Sequence, residues 1–335
     1  MTTPSLDEIL ERAHVVALPM AVRFRGVDTR EALLIDGPAG WGEFAPFPEY
    51  DARESATWLA AGIEAAWHGH PEPLRETVEV NATIPAVGPD RVAELLDRFP
   101  GCRTIKVKVA EAGQTLADDL ARVQAVRQAR PGAVIRVDAN RGWSVGQALE
   151  AARVLGPLDY LEQPCHSVGE LAEVRMRLMR AGVFVRVAAD ESIRRSGDPY
   201  LVAEKQAADV AVVKVAPLGG VRRVLEVAGH LRARHMDITV ASALDTAVGM
   251  NGGLAAVAAL PRLRDDDEMD VPPAAAGLAT QQLFREDVAA PREIVDGHMS
   301  VAPVSPDPAR LAGLAAPAPV REQWLERVRQ AHACL

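Results

Sequence analysis

Short apolar segments that each end in a polar residue recur through the middle of the chain. Successive end points are 24 to 30 residues apart. They are Asn81, Lys108, Asp138, Glu162, Asp190, Lys214 and Ser242. Runs of this kind, rich in valine and isoleucine, are typical of strands buried on both faces of a parallel sheet. The spacing accommodates one strand, one loop and one helix, so the pattern predicts a repeated strand–helix unit.

The segments between these runs have the period of amphipathic helices, with apolar residues three and four positions apart. The predicted helices cover 93–99, 116–130, 147–155, 169–180 and 222–234. Strands that alternate with helices require a parallel sheet. Seven or eight units of this period favour a closed (β/α) barrel over an open doubly wound sheet, and no GxGxxG follows the first strand.

The two ends of the chain lack this repeat. Residues 1–75 contain two candidate strands, 14–24 and 31–36, and a helix from about Arg53 to Trp67, which together predict a separate α+β unit. We assign the barrel to residues 76–275. Residues 276–335 form a Pro- and Ala-rich tail with a predicted hairpin in EIVDGHMSVAP, and we expect this tail to return to the N-terminal unit.

Charge and cysteine content exclude several classes of protein. The formal net charge of −9 argues against a nucleic-acid partner, because binding phosphates requires a basic face. The apolar run from Val15 to Met20 is too short to cross a membrane, and no later segment approaches the length of a membrane helix. Three cysteines without a CxxC pair are typical of the reducing cytoplasm. We expect a cytoplasmic protein, and the sequence specifies no oligomeric state.

Five polar strand ends are predicted to meet at one rim of the barrel. In a parallel barrel, all carboxyl ends of the strands open on the same rim, where active sites lie. Those ends carry Lys108, Asp138, Glu162, Asp190 and Lys214. Because side chains alternate along a strand, Lys106 points the same way as Lys108. One charged strand end is usually a surface charge, but five at the same point of the repeat favour a shared site.

The chemistry of this set indicates a metal-dependent proton transfer. Three converging carboxylates repel one another unless a cation lies among them. Oxygen ligands without cysteine or histidine favour a hard ion, Mg²⁺, with Mn²⁺ as the alternative. Such an ion would bind a substrate carboxylate and neutralise the charge formed when the adjacent carbon loses its proton, and the flanking lysines would supply the base.

The same motifs, in this order and spacing, resemble the enolase superfamily. They are KVK (106–108), VDAN (137–140), LEQP (161–164), ADES (189–192) and VVKVAPLGG (212–220). The likeness covers nearly the whole chain and is closest to the muconate-lactonizing-like branch, which has lysines on the second and sixth barrel strands. It implies an α/β fold, a (β/α)7β TIM-like barrel with an α+β capping domain formed by the N-terminal segment and the C-terminal tail. VASALDTAVG contains no histidine, which disfavours the mandelate-racemase-like branch.

The resemblance also implies roles for individual residues. Asp138, Glu162 and Asp190 would ligate Mg²⁺, and Asn140 and Glu191 would lie beside the metal. Lys108 would be the acid/base, with Lys106 next to it favouring its neutral form. Lys214 would face Lys108 across the substrate, as a second base or as a cation that stabilises the enolate.

Within this branch, the short length, the ALPMAVRFRGV opening, REALLI and the turn WGEFAPFPEYD most resemble the o-succinylbenzoate synthase family in its actinobacterial form. That likeness implies a carbon–oxygen lyase of menaquinone biosynthesis. Its reaction is the Mg-dependent syn-dehydration of 2-succinyl-6-hydroxy-2,4-cyclohexadiene-1-carboxylate (SHCHC) to 2-succinylbenzoate through an enediolate. The partner would therefore be a small-molecule carboxylate.

Substrate contacts are predicted at five further residues. Ser242, Gly219 and Gly220 would bind a substrate carboxylate through hydroxyl and amide donors, and a turn chosen for tight packing is the alternative. Arg23 and Phe47 lie in segments expected to reach over the barrel mouth, where Arg23 would meet the succinyl carboxylate or remain on the surface. Arg136, two residues before Asp138, is expected to be buried with a carboxylate partner in a structural role.

Three other functions stay open from the sequence. The first is a racemase of N-acyl amino acids or dipeptides, or a cycloisomerase, because these enzymes of the same branch share the catalytic residues above. The second is a metal-free aldolase that forms a Schiff base at Lys214, which leaves the three carboxylates unexplained. The third is a barrel that binds ligands without catalysis.

Overall fold

The computed structural model describes residues 3–24, 27–195, 197–264 and 269–335. Its N-terminal part is an antiparallel sheet of three strands preceded by a short helix. These elements are α1 (Leu6–Glu11), β1 (Ala13–Phe24), β2 (Val27–Gly37) and β3 (Gly40–Phe44). The strands match the two predicted from the sequence and add β3, which carries the GWGEF segment of the predicted turn.

Helix α2 (Ala52–Ile63) covers this sheet at very short range. Asp51 caps its N-terminus in a reciprocal capping box with Glu54, an arrangement that stabilises a helix by about 1 kcal/mol. A Cβ atom placed on Gly42 of β3 would lie 2.0 Å from the carbonyl oxygen of Gly62, so only glycine permits this backbone contact. The helix continues as one π-helical turn over Glu64–His68.

The centre of the chain is a parallel sheet of seven strands whose order in space follows the order in sequence. After the short β4 (Thr77–Glu79), its strands are β5 (Ala82–Ile84), β6 (Thr104–Lys108), β7 (Val134–Asp138), β8 (Tyr160–Glu162), β9 (Arg186–Ala189), β10 (Val210–Val213) and β11 (Asp237–Val240). All seven apolar segments predicted as strands are confirmed.

Residues 276 and 277 close the sheet into a barrel. Ala276 forms a parallel bridge to Val80 at one edge, and Gly277 forms a parallel bridge to Ala241 at the other. This eighth position was missing from the sequence prediction because its segment, AAAGLAT, lacks the β-branched residues that mark the other strands. The result is the predicted TIM-like α/β barrel.

Helices lie on the outside of the barrel between successive strands. They are α3 (Val92–Leu96), α4 (Leu116–Ala129), α5 (Val145–Val154), α6 (Val168–Arg180), α7 (Asp198–Glu204), α8 (Val215–Leu218), α9 (Val221–Arg232) and α10 (Met250–Ala259). The five helices predicted from periodicity are confirmed within a few residues. Helix α10 was not predicted, since its sequence MNGGLAAVAA is buried almost all round and therefore has no polar face.

The tail returns to the N-terminal unit as predicted. Its elements are β14 (His298–Ser300), α11 (Pro308–Gly313) and α12 (Ala318–His332), and the short β12 (Leu263–Arg264) and β13 (Asp270–Val271) precede it. Trp324 of α12 packs edge-to-face on Phe44 at 5.8 Å and donates a hydrogen bond of 2.7 Å from Nε1 to Glu31. The predicted hairpin turns at Asp296 and Gly297, and β14 pairs with β4.

Two large apolar cores separate the layers. One lies between the barrel strands and their helices, and the other lies under the N-terminal sheet, where it includes α12 residues. A small third cluster fills the inside of the barrel. Arg136 extends inside the barrel at 2% exposure and pairs with Asp159 at 2.8 Å, as expected for a structural arginine. Among the described residues, no helix combines the length and the apolar character needed to cross a bilayer.

Candidate active site

The five predicted polar strand ends meet at one rim of the barrel. In the register of the sheet, Lys108 lies opposite Asp138, and Asp138 lies opposite Glu162. Asp190 and Lys214 directly follow β9 and β10. The repeat therefore brings the charges of five successive strands to the same end of the barrel.

The three carboxylates are buried and are contacted by the lysines. Their exposed fractions are 1% for Asp138, 0% for Glu162 and 6% for Asp190. Lys106 Nζ lies 2.9 Å from Glu162 Oε1 and 3.2 Å from Asp138 Oδ2. Lys108 Nζ lies 2.5 Å from Asp138 Oδ2, and Lys214 forms an ion pair with Asp190.

The pKa values in this cluster follow from burial and mutual charge. Burial raises the pKa of Glu162 to about 7, and the charge of Asp138 adds to the shift. Burial opposes ionisation of Asp138 too, but Lys108 and Lys106 outweigh it and hold the pKa of Asp138 below its usual range. Burial disfavours the charge of Lys106, yet Glu162 and Asp138 raise the pKa of Lys106 well above its ordinary value. Even with Lys106 and Lys108 nearby, Glu162 therefore holds a proton more readily than an ordinary carboxylate.

The donor set at this rim fits a hard divalent cation. Glu162 Oε2 is buried and has no hydrogen-bond partner among the described residues, which is costly for a carboxylate unless another ligand engages it. Across the described ranges, no three His, Cys, Asp or Glu side chains form a ready metal cluster. The ammonium groups of Lys106 and Lys108 lie against the carboxylates instead, so binding a cation requires them to turn aside.

Lysine is used very selectively in this chain. It has 37 lysines and arginines, of which only four are lysines. Three of the four, Lys106, Lys108 and Lys214, lie at the rim, and the fourth, Lys205, is exposed after α7. An arginine cannot release a proton near neutral pH, whereas a lysine can when its surroundings favour the neutral amine. Three of the four lysines thus lie at the rim, where a side chain that can release a proton could take part in proton transfer.

Asn140 and Glu191 connect Lys108 to the loop after β9. Asn140 Oδ1 accepts a hydrogen bond of 2.7 Å from Lys108 Nζ, and Asn140 Nδ2 donates one of 3.2 Å to Glu191 Oε1. Asn140 adopts a positive φ of 43°, and its backbone N–H donates to Asp138 Oδ1 at 3.1 Å. Both residues thus contact side chains of the cluster.

Gln163 was part of the LEQP motif but received no role from the sequence. Its Oε1 accepts hydrogen bonds from the backbone N–H groups of Asp190 and Ser192, at 3.0 and 3.1 Å. Its Nε2 donates to Cys165 O at 2.9 Å and to Ser192 Oγ at 2.8 Å. A fully buried amide with every polar atom bonded in this way fixes Asp190 relative to Glu162.

The predicted carboxylate-binding turn is occupied by internal hydrogen bonds. The N–H groups of Gly219 and Gly220 both donate to Val215 O at 3.1 Å. Ser242 Oγ accepts from Leu244 N at 3.0 Å and from Asp245 N at 3.1 Å. Neither glycine amide is therefore available to a substrate in this arrangement.

A carboxylate from the N-terminal unit explains the glycine at position 220. Glu64 Oε1 accepts a hydrogen bond of 3.0 Å from Val221 N at the start of α9. A Cβ atom on Gly220, whose φ is +123°, would lie 2.5 Å from Glu64 Oε2. No sequence pattern indicates this contact, since Glu64 lies in an ordinary helical pattern more than 150 residues away.

The buried Glu43 of β3 lies close to the half-buried Asp245 in the loop after β11. Glu43 accepts hydrogen bonds from Thr246 N at 3.1 Å and from Thr246 Oγ1 at 2.5 Å. Burial raises the pKa of Glu43 to about 7, and the nearby charge of Asp245 adds to it. Burial also raises the pKa of Asp245, while Lys214 is among the cations that oppose the shift.

The two predicted lid residues have different outcomes. Phe47 is 5% exposed and packs edge-to-face on Trp58 at 6.2 Å, with the guanidinium of Arg30 4.3 Å above its ring. It belongs to the apolar core of the N-terminal unit. The side chain of Arg23 lies outside the described residues.

Two family models match the chain. One, described as Enolase C-terminal domain-like, matches residues 90–313, and the other, Enolase N-terminal domain-like, matches residues 15–66. The first covers the barrel from before β6 onward, and the second covers the antiparallel sheet and α2.

Curated relatives and solved structures agree with these matches. The o-succinylbenzoate synthase of Mycolicibacterium smegmatis is 56% identical over 99% of this chain and 98% of its own length. That of Mycobacterium leprae is 53% identical over 99% of this chain and 95% of its own length. The solved structure of the muconate lactonizing enzyme from Pseudomonas putida superposes with a TM-score of 0.72 at 21% identity, covering 91% of this chain and 98% of that one. At that identity, the superposition supports the fold alone.

Proposed function

This chain belongs to the enolase superfamily and, within it, to the o-succinylbenzoate synthases, and we propose that it dehydrates SHCHC to 2-succinylbenzoate in menaquinone biosynthesis. It is thus a carbon–oxygen lyase that acts on a small molecule. The observation that carries the proposal is the convergence of Lys108 and Lys214 on three buried carboxylates at one barrel rim.

Enzymes of the enolase superfamily use a divalent metal ion, and we propose Mg²⁺ held by Asp138, Glu162 and Asp190. The buried, unpartnered oxygen of Glu162 and the all-oxygen donor set support this assignment. When bound, the ion neutralises the negative charge that develops on the substrate carboxylate. Mn²⁺ has the same preference for oxygen and is the alternative ion.

Lys108 is proposed as the acid/base. Its neutral amine takes the proton from the carbon next to the carboxylate, giving an enediolate. The resulting ammonium group returns that proton to the departing hydroxyl on the same face, so water leaves and a carbon–carbon double bond forms. The neighbouring Lys106 is held in place by its contacts with Glu162 and Asp138. Asn140 orients the amine through its hydrogen bond of 2.7 Å.

Lys214 is proposed as a fixed cation on the other side of the substrate. Its ammonium group forms an ion pair with Asp190, and we assign it to stabilising the enediolate rather than to removing a proton. A cation over the face of the developing aromatic ring gains about 0.5–2 kcal/mol. The gain grows as the ring becomes aromatic, so it favours the transition state over the substrate.

The test is turnover of SHCHC by the purified protein with Mg²⁺, followed by loss of the diene absorbance and by NMR of the product. We expect stoichiometric 2-succinylbenzoate, and no turnover after chelation with EDTA. Racemisation of N-acyl amino acids or dipeptides, or cycloisomerisation, without dehydration of SHCHC would overturn the proposal. Activity that survives EDTA together with borohydride trapping at Lys214 would instead support an aldolase.

A further inference from the structure

Two charged residues of α4 are fully buried behind the rim and have no part in the proposed chemistry. The side chains of Arg122 and Asp119 are 1% and 2% exposed, and they form an ion pair at 3.0 Å. Burying such a pair costs several kcal/mol per ion, which only good geometry and further hydrogen bonds repay. A pair of apolar residues would fill the same space without that cost. The two charged side chains are therefore best explained by the hydrogen bonds that they form.

Arg122 directs its guanidinium at the end of strand β6. Its Nη1 donates a hydrogen bond of 2.8 Å to the backbone carbonyl of Lys108. Its Nε donates to Val87 O at 2.6 Å, and its Nη2 donates to Gln114 Oε1. Gln114 in turn donates from Nε2 to Ala86 O at 3.0 Å, so the loop after β5 is included in the same network.

Asp119 holds the backbone two residues after the same lysine. Its Oδ1 binds Arg122, and its Oδ2 accepts a hydrogen bond of 3.1 Å from the N–H of Ala110. Ala110 has a positive φ of 59°, a conformation that non-glycine residues adopt only when their surroundings impose it. Between these two contacts, Val109 N donates to Asp138 O at 3.0 Å. The peptide group between Lys108 and Val109 is therefore bonded at both its carbonyl and its N–H, and the next peptide group is bonded at its N–H.

We propose that Arg122 and Asp119 are positioning residues that aim the Lys108 side chain into the site. The proposal rests on the proposed function, in which Lys108 transfers the proton. Lys108 has four rotatable side-chain bonds, and its amine is useful only within about 3–3.5 Å of the reacting proton. When the backbone at Lys108 is fixed, the position of the amine depends only on the four side-chain torsions. The hydrogen bond to Asn140 then holds the amine at the end of the side chain.

The chain contains a matched pair at the opposite end of the barrel. Arg175 of α6 donates from Nε to Asp209 Oδ1 at 2.6 Å, and Asp209 Oδ2 accepts from Val187 N at 2.9 Å near the start of β9. The chemistry is the same: an arginine on a helix holds an aspartate that binds a strand amide. This pair lies away from the rim. Its substitution therefore shows what the loss of such a contact does to stability without changing the position of Lys108.

The experiment compares Arg122→Gln, Arg122→Lys and Asp119→Asn with Arg175→Gln, all saturated with Mg²⁺. We expect Arg122→Gln to lower kcat for SHCHC by about 10- to 100-fold with less than a threefold change in KM, because misplacement of a reacting group acts on the chemical step. Arg122→Lys should recover part of this loss. Arg175→Gln should lower the melting temperature while leaving kcat near wild type.

A readout without turnover uses the low lysine content. With [ε-¹³C]lysine, the protein gives four side-chain NMR signals, one for each lysine. Arg122→Gln and Asp119→Asn should shift or broaden the Lys108 signal and leave the Lys205 signal unchanged. This arm also applies if the wild-type protein does not dehydrate SHCHC, a result that would refute the proposed function alone.

The proposal fails if Arg122→Gln lowers only the melting temperature and keeps wild-type kcat and the Lys108 signal. It also fails if Arg175→Gln reduces kcat as much as Arg122→Gln does. If Arg122→Gln does not fold, Asp119→Asn decides the question. That substitution keeps the shape of the side chain and weakens its bonds to Ala110 and Arg122.

Discussion

The ammonium group of Lys106 lies 2.9 Å from a carboxylate oxygen of Glu162, a residue that is completely buried. The same ammonium group is 3.2 Å from Asp138. One cation on β6 is thus shared by two carboxylates on the next two strands. Since each carboxylate is also a proposed metal ligand, Lys106 and a bound metal ion would neutralise the same negative charges.

This sharing leads to a prediction for Lys106→Met. The substitution keeps the length of the side chain but removes the cation from the buried Glu162, while Asp138 keeps its contact with Lys108. Breaking a buried pair in this way costs about 3–5 kcal/mol. We expect a large fall in melting temperature in EDTA, most of which Mg²⁺ restores, because the ion takes over the neutralisation. Thermal unfolding with EDTA and with Mg²⁺ measures both effects.

Lys205→Met is the matched control, since Lys205 is exposed and lies outside the site. It should change neither the melting temperature nor the response to Mg²⁺. Equal stabilisation of Lys106→Met and wild type by Mg²⁺ would contradict the idea that the lysine and the ion neutralise the same carboxylates.

Lys108→Ala is expected to reduce kcat for SHCHC by at least about 10²- to 10⁴-fold, the contribution of a single general base. Affinity for Mg²⁺ and the far-UV circular dichroism should remain close to wild type. Lys108→Arg keeps the positive charge but cannot accept the substrate proton, so it should be equally inactive. Turnover by Lys108→Arg above one tenth of the wild-type rate would remove Lys108 from the acid/base role.

The strand ends could be identified from sequence because they depend on local rules. The period of 24 to 30 residues fixes the repeat, and alternation along KVK places Lys106 and Lys108 on one face. Lys108, Asp138 and Glu162 then meet because the strands pair in register. The same rules failed for α10 and for residues 276–277, whose apolar, alanine- and glycine-rich sequences have neither period.

Contacts between distant segments were not predictable in this way. Glu64 meets the start of α9, and Glu43 meets Thr246, across 157 and 203 residues of sequence. Each depends on how the N-terminal unit docks on the barrel, and no periodic pattern encodes that orientation. Gly219 and Gly220 illustrate the consequence. The turn that looked suited to a substrate carboxylate is bonded internally, and an approaching carboxylate of the protein itself requires the glycine at 220.

Asp190→Asn should weaken metal binding before it affects the fold. The amide oxygen can still accept a hydrogen bond from Lys214. It is, however, a poorer ligand for a hard cation than a carboxylate. It also leaves Lys214 without its ion-pair partner. We expect the Kd for Mg²⁺, measured by calorimetric titration, to rise by about tenfold or more, in the range found when ligand shells are altered. Asp198→Asn, at the start of α7 and outside the carboxylate cluster, is the control. Unchanged Mg²⁺ affinity in Asp190→Asn would argue against its role as a ligand.

The pair of Glu43 and Asp245 makes the stability of the protein depend on pH. Burial and the charge of Asp245 raise the pKa of Glu43 to about 7, against an ordinary value of 4.5 in the unfolded chain. Between about pH 4.5 and pH 7, Glu43 therefore keeps its proton in the folded protein but has lost it in the unfolded chain. Ionising Glu43 in the folded protein therefore lowers the free energy of unfolding. This loss of stability is absent below about pH 4.5, grows as the pH rises, and is complete above about pH 7.

Glu43→Gln should remove this penalty, because the neutral amide needs no proton and can still accept from Thr246. Relative to wild type, the free energy of unfolding of the variant should rise between about pH 4.5 and 7, by up to about 3 kcal/mol for a shift of this size. Loss of the charge on Glu43 also makes it easier for Asp245 to ionise. Urea unfolding of both proteins at several pH values measures the difference. The exposed Glu49→Gln, in the loop that follows β3, should give a difference that does not change with pH. A pH-independent difference for Glu43→Gln as well would show that Glu43 is already ionised in the folded protein at pH 5, and that Arg30 and Thr246 together outweigh its burial.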